Sequence, residues 1–283
     1  MQDFLEAVAR YSFMQHALAA GLLASVACGI VGTYVVVRRI TYIAGGISHC
    51  VLGGIGIALY LQRVHGWTWL HPMYGAVAAA LLAAAIIGLV SIRAKQREDT
   101  VIGALWAVGM AIGVLFIAKT PGYSQDLMSY LFGNILMVSP GDLWLIGALD
   151  LLVVLLGLAF YNQFLAVCFD EEFARARGMR VEFYYLFLLC LTSLTVVLLV
   201  SVVGIILVIA LLTLPVAVAG IFARRLWQMM ILATLFSAVF TTAGLAVSYG
   251  SDLPSGATIV ILAGAVYLVV AVGSRLLRPR RNV

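Results

Sequence analysis

Charged residues are scarce in this chain. Only 10% of its 283 residues are Asp, Glu, Lys or Arg, whereas 64% are hydrophobic. An ordinary soluble domain has roughly a quarter of its residues charged. The composition therefore excludes a water-soluble globule and indicates an integral membrane protein.

Several motifs of common chemistries are also absent. The cysteines Cys28, Cys50, Cys168 and Cys190 are scattered and form no CxxC pair, which argues against a disulfide framework or a zinc knuckle. The sequence contains no GxxxxGKS/T phosphate loop and no HExxH pair. Binding of ATP through such a loop and metalloprotease chemistry are therefore not expected.

Apolar stretches of about 20 residues, the length that crosses the hydrocarbon core, occur about nine times. They predict an all-α, polytopic membrane protein with one transmembrane domain over residues 1–283. The least secure division lies in the run 183–222, which is too long for one span and is split at Val203–Gly204; eight or ten spans stay possible. The predicted spans are 14–37, 43–61, 72–92, 100–118, 142–160, 182–201, 204–222, 227–249 and 256–274.

The basic residues predict the orientation, because cytoplasmic loops collect Lys and Arg. Of the 17 basic residues, only Arg10, Arg63 and Lys119 fall on one side of the nine-span arrangement. The amino terminus is therefore expected outside and the carboxyl terminus inside, and the net charge of +5 marks orientation rather than binding of nucleic acid. The other side holds Arg38, Arg39, Arg93, Lys95, Arg97, Arg175, Arg177, Arg180, Arg224, Arg225, Arg275, Arg278, Arg280 and Arg281.

Two ionisable residues lie well inside predicted spans, away from their ends, where such groups are costly and mark functional sites. His49 lies in the second span among small residues, and a neutral imidazole is the commonest protein ligand of transition metals. The alternative is a structural histidine bonded to a backbone carbonyl. Asp150 lies in the middle of the fifth span, where it either lines a cation path or hydrogen-bonds to a neighbouring helix.

Two loops carry helical patterns. In the inner loop, acids at 170–172 precede basic residues, and Gly178 follows them, which predicts a short helix. Such a helix either docks a cytoplasmic protein or is a solvated connector. The outer segment 126–133 predicts a short amphipathic helix, which either meets an external partner or is a structural interfacial helix.

Glycines recur at spacings that favour close helix packing. The stretch Gly53–Gly56 lacks the GxGxxG frame of a nucleotide site, and Gly109 with Gly113 forms a small-xxx-small pair. We expect these residues to lie at tight helix contacts.

Several segments form a recognisable pattern in this order: 38–49, 126–133, Asp170 with Phe173, Ala174 and Gly178, then 202–215, 219–225 and 252–256. Together they resemble the permease subunit of zinc/manganese-type ABC importers. The similarity covers nearly the whole chain in the same order.

The resemblance implies a homodimer in the bacterial cytoplasmic membrane that transports zinc, manganese or iron. Each copy would dock one cytoplasmic ATPase subunit, which binds the ATP, and an extracytoplasmic protein would deliver the metal. It also implies that His49 is a ligand on the metal path, with Asp150 a possible substitute ligand. The implied coupling residues are Asp170, Glu171, Glu172, Phe173, Ala174 and Gly178.

One position departs from the family pattern. The family commonly has an aspartate one turn before this histidine, and this chain has Gly45 there. The identity of the metal therefore stays open. The alternatives are a permease for metal chelates or vitamin B12, which would need more spans, and an ion-coupled secondary transporter, which would need internal repeats.

Overall fold

The computed structural model describes residues 2–93, 98–121, 133 and 135–277, and these form helices and connecting turns with no strand. A single 3₁₀ turn, Ile135–Met137, precedes the sixth α-helix. The α-helices, in chain order, are α1 (Gln2–Arg10), α2 (Ser12–Val37), α3 (Thr41–Val64), α4 (Pro72–Arg93), α5 (Glu98–Lys119), α6 (Pro140–Ala159), α7 (Tyr161–Phe169), α8 (Glu171–Ala176), α9 (Val181–Val203), α10 (Ile205–Phe222), α11 (Leu226–Ser251) and α12 (Ser255–Leu277).

Within the described ranges, nine helices are long and apolar enough to cross a membrane, namely α2 to α6 and α9 to α12. The predicted all-α, polytopic fold with nine spans is confirmed. The long run 183–222 breaks at Gly204, whose φ of 82° lies in a region that L side chains rarely adopt. The backbone therefore turns where the sequence predicted that it would.

Two further helices, α1 and α7, were not predicted. They have 9 residues each, which is too short to span a membrane, so neither contains an apolar run of the length that predicts a span. Phe4 of α1 is buried and its ring lies 6.4 Å from that of Tyr249 on α11. α7 leads from the fifth span into α8.

Burial divides the spans into central and peripheral helices. In α3, 89% of an 18-residue apolar stretch is buried inside the protein. In α2, 72% of the corresponding stretch is buried. α5, α6 and α12 bury only 22%, 22% and 17%. In a membrane protein the exposed apolar faces of such helices meet lipid or another apolar surface, and α3 is the span most enclosed by the rest of the described chain.

Glycines bring α3 and α5 together. A Cβ at Gly53 would lie 2.8 Å from the carbonyl oxygen of Gly109, and one at Gly56 would lie 2.7 Å from that of Gly113. Real Cβ atoms do not approach a carbonyl this closely, so the two backbones touch at these points. The expected close-packing role of both glycine pairs is confirmed, and the contact holds α5 against the helix that carries His49.

Candidate metal path and cytoplasmic docking surface

His49 lies on the central helix α3, two turns after its start, and only 7% of it is exposed. Its Nδ1 atom is buried and has no hydrogen-bond partner among the described residues. The described residues therefore do not support the alternative, a structural histidine whose Nδ1 is bonded to a backbone carbonyl. A buried imidazole with an unpartnered nitrogen has the electron pair that a transition-metal ion requires.

The imidazole of His49 stacks on the indole of Trp106. The ring centroids are 4.6 Å apart and the planes differ by 21°. Trp106 comes from α5, which the glycine contacts hold against α3. Sequence reasoning missed this residue, because it is one apolar residue in an apolar span and nothing local marks which helix it faces.

Asp150 lies in the middle of α6 and is also buried, with 7% exposed. Its Oδ2 atom has no hydrogen-bond partner among the residues described. The carboxyl group lies against α2, beside the backbone of Ala27 and the thiol of Cys28. Asp150 and His49 thus face different helices, and across the described ranges no three His, Cys, Asp or Glu residues come together as a metal cluster.

The predicted inner-loop helix is present as α8. The Oδ1 atom of Asp170 accepts a hydrogen bond of 2.9 Å from the backbone N–H of Phe173 and so caps the helix, as a carboxylate at this position does. Gly178, with φ of 77°, follows its end. Ala174 is buried whereas Phe173 is 51% exposed, so α8 rests on one small residue and presents an aromatic side chain outward.

A cleft of about 900 Å³ lies beside α8, between α7 and the start of α9. Arg177 holds its guanidinium 4.7 Å from the centroid of the Phe173 ring, a cation–π contact. Phe169 at the end of α7 is 67% exposed. The surface thus combines exposed aromatic rings with an arginine, residue types that are enriched where proteins bind each other.

An ion pair joins this surface to the central helices. Arg38, at the end of α2, pairs with Glu171 in the first turn of α8. Its guanidinium also lies 5.4 Å from the ring of Tyr185 on α9. Arg39, the next residue, has a left-handed φ of 63° and turns the chain into α3. α8 is therefore tied to the turn from which the His49 helix starts.

One buried cysteine, Cys168, packs against the backbone of a neighbouring span. All four cysteines are free, as expected, and the Sγ of Cys168 on α7 is within 3.9 Å of the backbone carbonyl of Tyr34. Burial raises the pKa of the Cys168 thiol to about 12, although the nearby Arg38 charge acts in the opposite direction. Cys168 is thus a neutral thiol at physiological pH.

The predicted amphipathic helix at 126–133 lies outside the described residues, apart from Gly133. Gly133 has a positive φ of 66°, and a Cβ there would meet the backbone at Val203 and Gly204. The end of the outer segment therefore packs on the break between α9 and α10.

Comparison with known proteins agrees with this architecture. Residues 10–274 match the ABC 3 transport family. A membrane protein of Synechocystis sp. is 44% identical over 260 residues, which are 92% of this chain and 90% of the relative. The manganese transport system membrane protein of Halalkalibacterium halodurans is 35% identical over 264 residues, covering 93% of this chain and 88% of the relative.

A solved structure also matches along almost its whole length. PsaBC from Streptococcus pneumoniae in complex with Fab aligns with a TM-score of 0.84 and 32% identity, over 95% of this chain and 94% of that one. Because the family match spans most of the chain and the relatives agree in length, sequence and fold, the chain belongs to the ABC 3 transport family and is a membrane subunit of a transport system rather than an enzyme.

Proposed function

We propose that this protein is the permease subunit of an ATP-driven importer of divalent transition-metal ions. The observation that carries the proposal is the buried, unpartnered Nδ1 of His49 on the most enclosed span of a chain in this family. A relative is named as a manganese transport protein, which favours manganese as the cargo. Zinc and iron are the other ions that an imidazole on the path suits.

The proposed site is sparse. His49 offers one nitrogen and Gly45 offers no side-chain ligand, so further ligands must come from elsewhere. A homodimer supplies a second His49, and backbone carbonyls supply oxygen atoms.

Asp150 is the second group that we propose to face the path. Its buried, unpartnered carboxyl oxygen suits a passing cation, while its position against α2 sets it apart from His49. Replacement by Asn keeps the shape and removes the charge. If Asp150 faces the ion, Asp150→Asn lowers metal uptake, whereas unchanged uptake assigns it to helix packing.

We propose that α8 is the helix on which a cytoplasmic ATPase subunit docks. The proposed docking residues are Asp170, Glu171, Glu172 and Phe173 in the first turn, the buried Ala174 on which the helix rests, and Gly178 after its end. The ATPase binds ATP, and its movement reaches α8 first. The ion pair from Glu171 to Arg38 and the turn at Arg39 then connect α8 to α3 and His49, so a shift of α8 has a short route to the metal path.

The proposed location is the bacterial cytoplasmic membrane, with α8 on the inner face and the amino terminus outside, in one transmembrane permease domain over residues 1–283. The contact between α8 and Arg38 supports this orientation, because it unites two segments that the basic residues assign to the same side. An extracytoplasmic binding protein would deliver the metal ion to the opposite face.

Metal-dependent ATP hydrolysis by the purified complex tests the proposal. A complex of this chain with its ATPase, reconstituted in lipid, is expected to hydrolyse ATP faster when the metal-loaded binding protein is added. His49→Ala should abolish metal uptake without loss of assembly. His71→Ala is the matched control, since His71 is exposed outside the spans. Normal uptake by His49→Ala would remove His49 from the path.

Docking has its own test. Phe173→Asp should weaken co-purification of the ATPase, because it replaces an exposed ring of the docking surface by a charge. Phe13→Asp is the control, since Phe13 is 41% exposed but lies near the opposite end of α2. Equal co-purification of both variants would show that α8 is a connector.

A further inference from the structure

Trp106 occupies a place beside His49 that the backbone of α3 leaves open. Gly45 and His49 lie one turn apart and share a helix face. A Cβ at Gly45 would lie 3.1 Å from Cζ3 and 3.4 Å from Cη2 of the Trp106 indole. The indole thus lies directly on the bare backbone at Gly45 and continues from there over the imidazole.

The same face of α3 carries a second aromatic contact. The ring of Tyr42, one turn before Gly45, lies 5.8 Å from the Trp106 ring. The indole therefore contacts Tyr42, Gly45 and His49, three residues in a row along one helix face. These contacts on both sides of the glycine fix the position of the indole.

We propose that Trp106 is a positioning and specificity-determining residue of the ion site at His49. This inference rests on the proposed function of His49 and adds the element that shapes its site. Stacking fixes the plane of the imidazole, and because a metal ion binds a ring nitrogen within that plane, the direction of approach is fixed with it. A Cβ at Gly45 would crowd the indole, which would have to shift by a few tenths of an ångström, so the glycine favours the observed stacking.

The indole also determines which groups line one side of the proposed ion site at His49. It presents a π face to the imidazole and supplies no oxygen ligand on that side. An aromatic face attracts positive charge by about 0.5–2 kcal/mol, so it stabilises the imidazole when the ring carries a metal ion. Imidazole nitrogen suits zinc and iron, whereas manganese prefers oxygen ligands. A manganese ion at His49 would take its oxygen ligands from the other sides of the site; loss of the indole admits water, a further oxygen ligand, and should raise uptake of manganese relative to zinc.

A single-tryptophan protein locates the ion. The chain has five tryptophans, and the other four are well exposed, so each is replaced by Phe: Trp67, Trp69, Trp144 and Trp227. In the complete complex, the Trp106 emission is the difference from the same complex carrying Trp106→Phe; Co²⁺ is expected to quench this difference saturably, and His49→Ala is expected to abolish the quenching. Uptake that depends on His49 without any quenching would overturn the assignment of Trp106 to the site.

A set of variants then tests the role of the indole by equilibrium dialysis of Co²⁺ against the complex with its native tryptophans. Trp106→Ala is expected to raise the dissociation constant roughly 2- to 30-fold, the equivalent of a cation–π contact, and Trp106→Phe by less. Gly45→Ala should raise it as well, but by less than Trp106→Ala, because its methyl group would push the indole a few tenths of an ångström from its place. Gly103→Ala is the matched control on α5, where nothing lies within 4 Å of an added Cβ.

The double variant shows whether Gly45→Ala lowers affinity by moving the indole or by disturbing α3 in general. In the Trp106→Ala background, Gly45→Ala should have no further effect, since no indole remains to be displaced. An equal effect of Gly45→Ala in both backgrounds would overturn the proposal, as would wild-type affinity in Trp106→Ala. If Trp106→Ala does not assemble, Trp106→Phe replaces it in both comparisons.

Competition between Zn²⁺ and Mn²⁺ during uptake provides the specificity readout. The ratio of zinc to manganese uptake should fall in Trp106→Ala and stay unchanged in Gly103→Ala. An unchanged ratio in Trp106→Ala would contradict the specificity role. Quenching and uptake that persist in His49→Ala would instead refute the proposed function of His49, so the two failures are distinguishable.

Discussion

The ion pair between Arg38 and Glu171 should hold α8 onto the end of α2. The perturbation is a double-mutant cycle made of Arg38→Ala, Glu171→Ala and the double variant. Glu171 also lies in the first turn of α8, where the helix dipole favours an acid. The cycle removes this single-site contribution and leaves the coupling between the two side chains.

The burial of the two side chains determines the size of their coupling energy. The Arg38 and Glu171 side chains are 26% and 34% exposed, so water screens the pair only in part. A hydrogen bond to a charged group contributes about 1.5–3 kcal/mol to stability. Because the two side chains are partly exposed, we expect a coupling energy at the lower end of this range, about 1.5 kcal/mol. That coupling corresponds to about a tenfold change in the equilibrium constant for the opening of α8.

A second ion pair in the same region is the matched control. Arg175 and Glu182 approach to 3.0 Å, but their side chains are 57% and 48% exposed. Exposed pairs contribute about 0.2–1 kcal/mol and are screened by salt. The corresponding cycle should therefore give a smaller coupling.

Hydrogen exchange at the amides of α8 measures the opening directly. The amide of Ala174 donates to the carbonyl of Asp170, and that of Arg177 donates to the carbonyl of Phe173. These amides exchange when the helix opens. Additive effects of Arg38→Ala and Glu171→Ala would refute the reasoning, because the pair would then contribute no coupling. A coupling at Arg175–Glu182 as large as that at Arg38–Glu171 would show that burial does not decide the strength.

Three further predictions concern packing. Gly53→Ala should destabilise the protein by about 1–3 kcal/mol, since its Cβ would lie 2.8 Å from the Gly109 carbonyl oxygen; thermal unfolding in detergent measures this, and Gly103→Ala should unfold like the parent. Tyr34→Phe should cost about 0.5–1.5 kcal/mol in the same assay, because the buried hydroxyl donates a 2.9 Å hydrogen bond to a carbonyl of α6. Cys168 should resist maleimide at pH 8 in the folded protein and react after denaturation, since burial raises the pKa of its thiol to about 12; labelling followed by mass spectrometry would show a reaction in the folded protein if this is wrong.

The spans were predictable because each depends on a run of neighbouring residues. Hydropathy places α2 to α6 and α9 to α12, and Gly204 separates two of them at the predicted point. The cap at Asp170 and the end at Gly178 are likewise local signals. Such features depend on composition and helix geometry within a few residues, which a sequence displays directly.

The two contacts that shape the proposed site were not predictable in this way. Trp106 stacks on His49 across two helices, and Arg38 pairs with Glu171 across 133 residues of chain. Neither contact has a local pattern, because both depend on which helices are neighbours and how each is rotated. The glycine pairs were recognised as packing faces, but the sequence did not show that Gly53 faces Gly109.

The glycine contacts also limit how the proposed site can move. At Gly53 and Gly56 the atoms nearest to an added Cβ are backbone atoms of Gly109 and Gly113 on α5, so the two helices are closely packed and have little room to shift against each other. We therefore expect α3 and α5 to move as one body, with the stacking of His49 on Trp106 kept intact. Opening of the path would then occur between this pair of helices and their other neighbours. A movement of α8 on the cytoplasmic side would reach the pair through the turn at Arg38, to which α8 is tied.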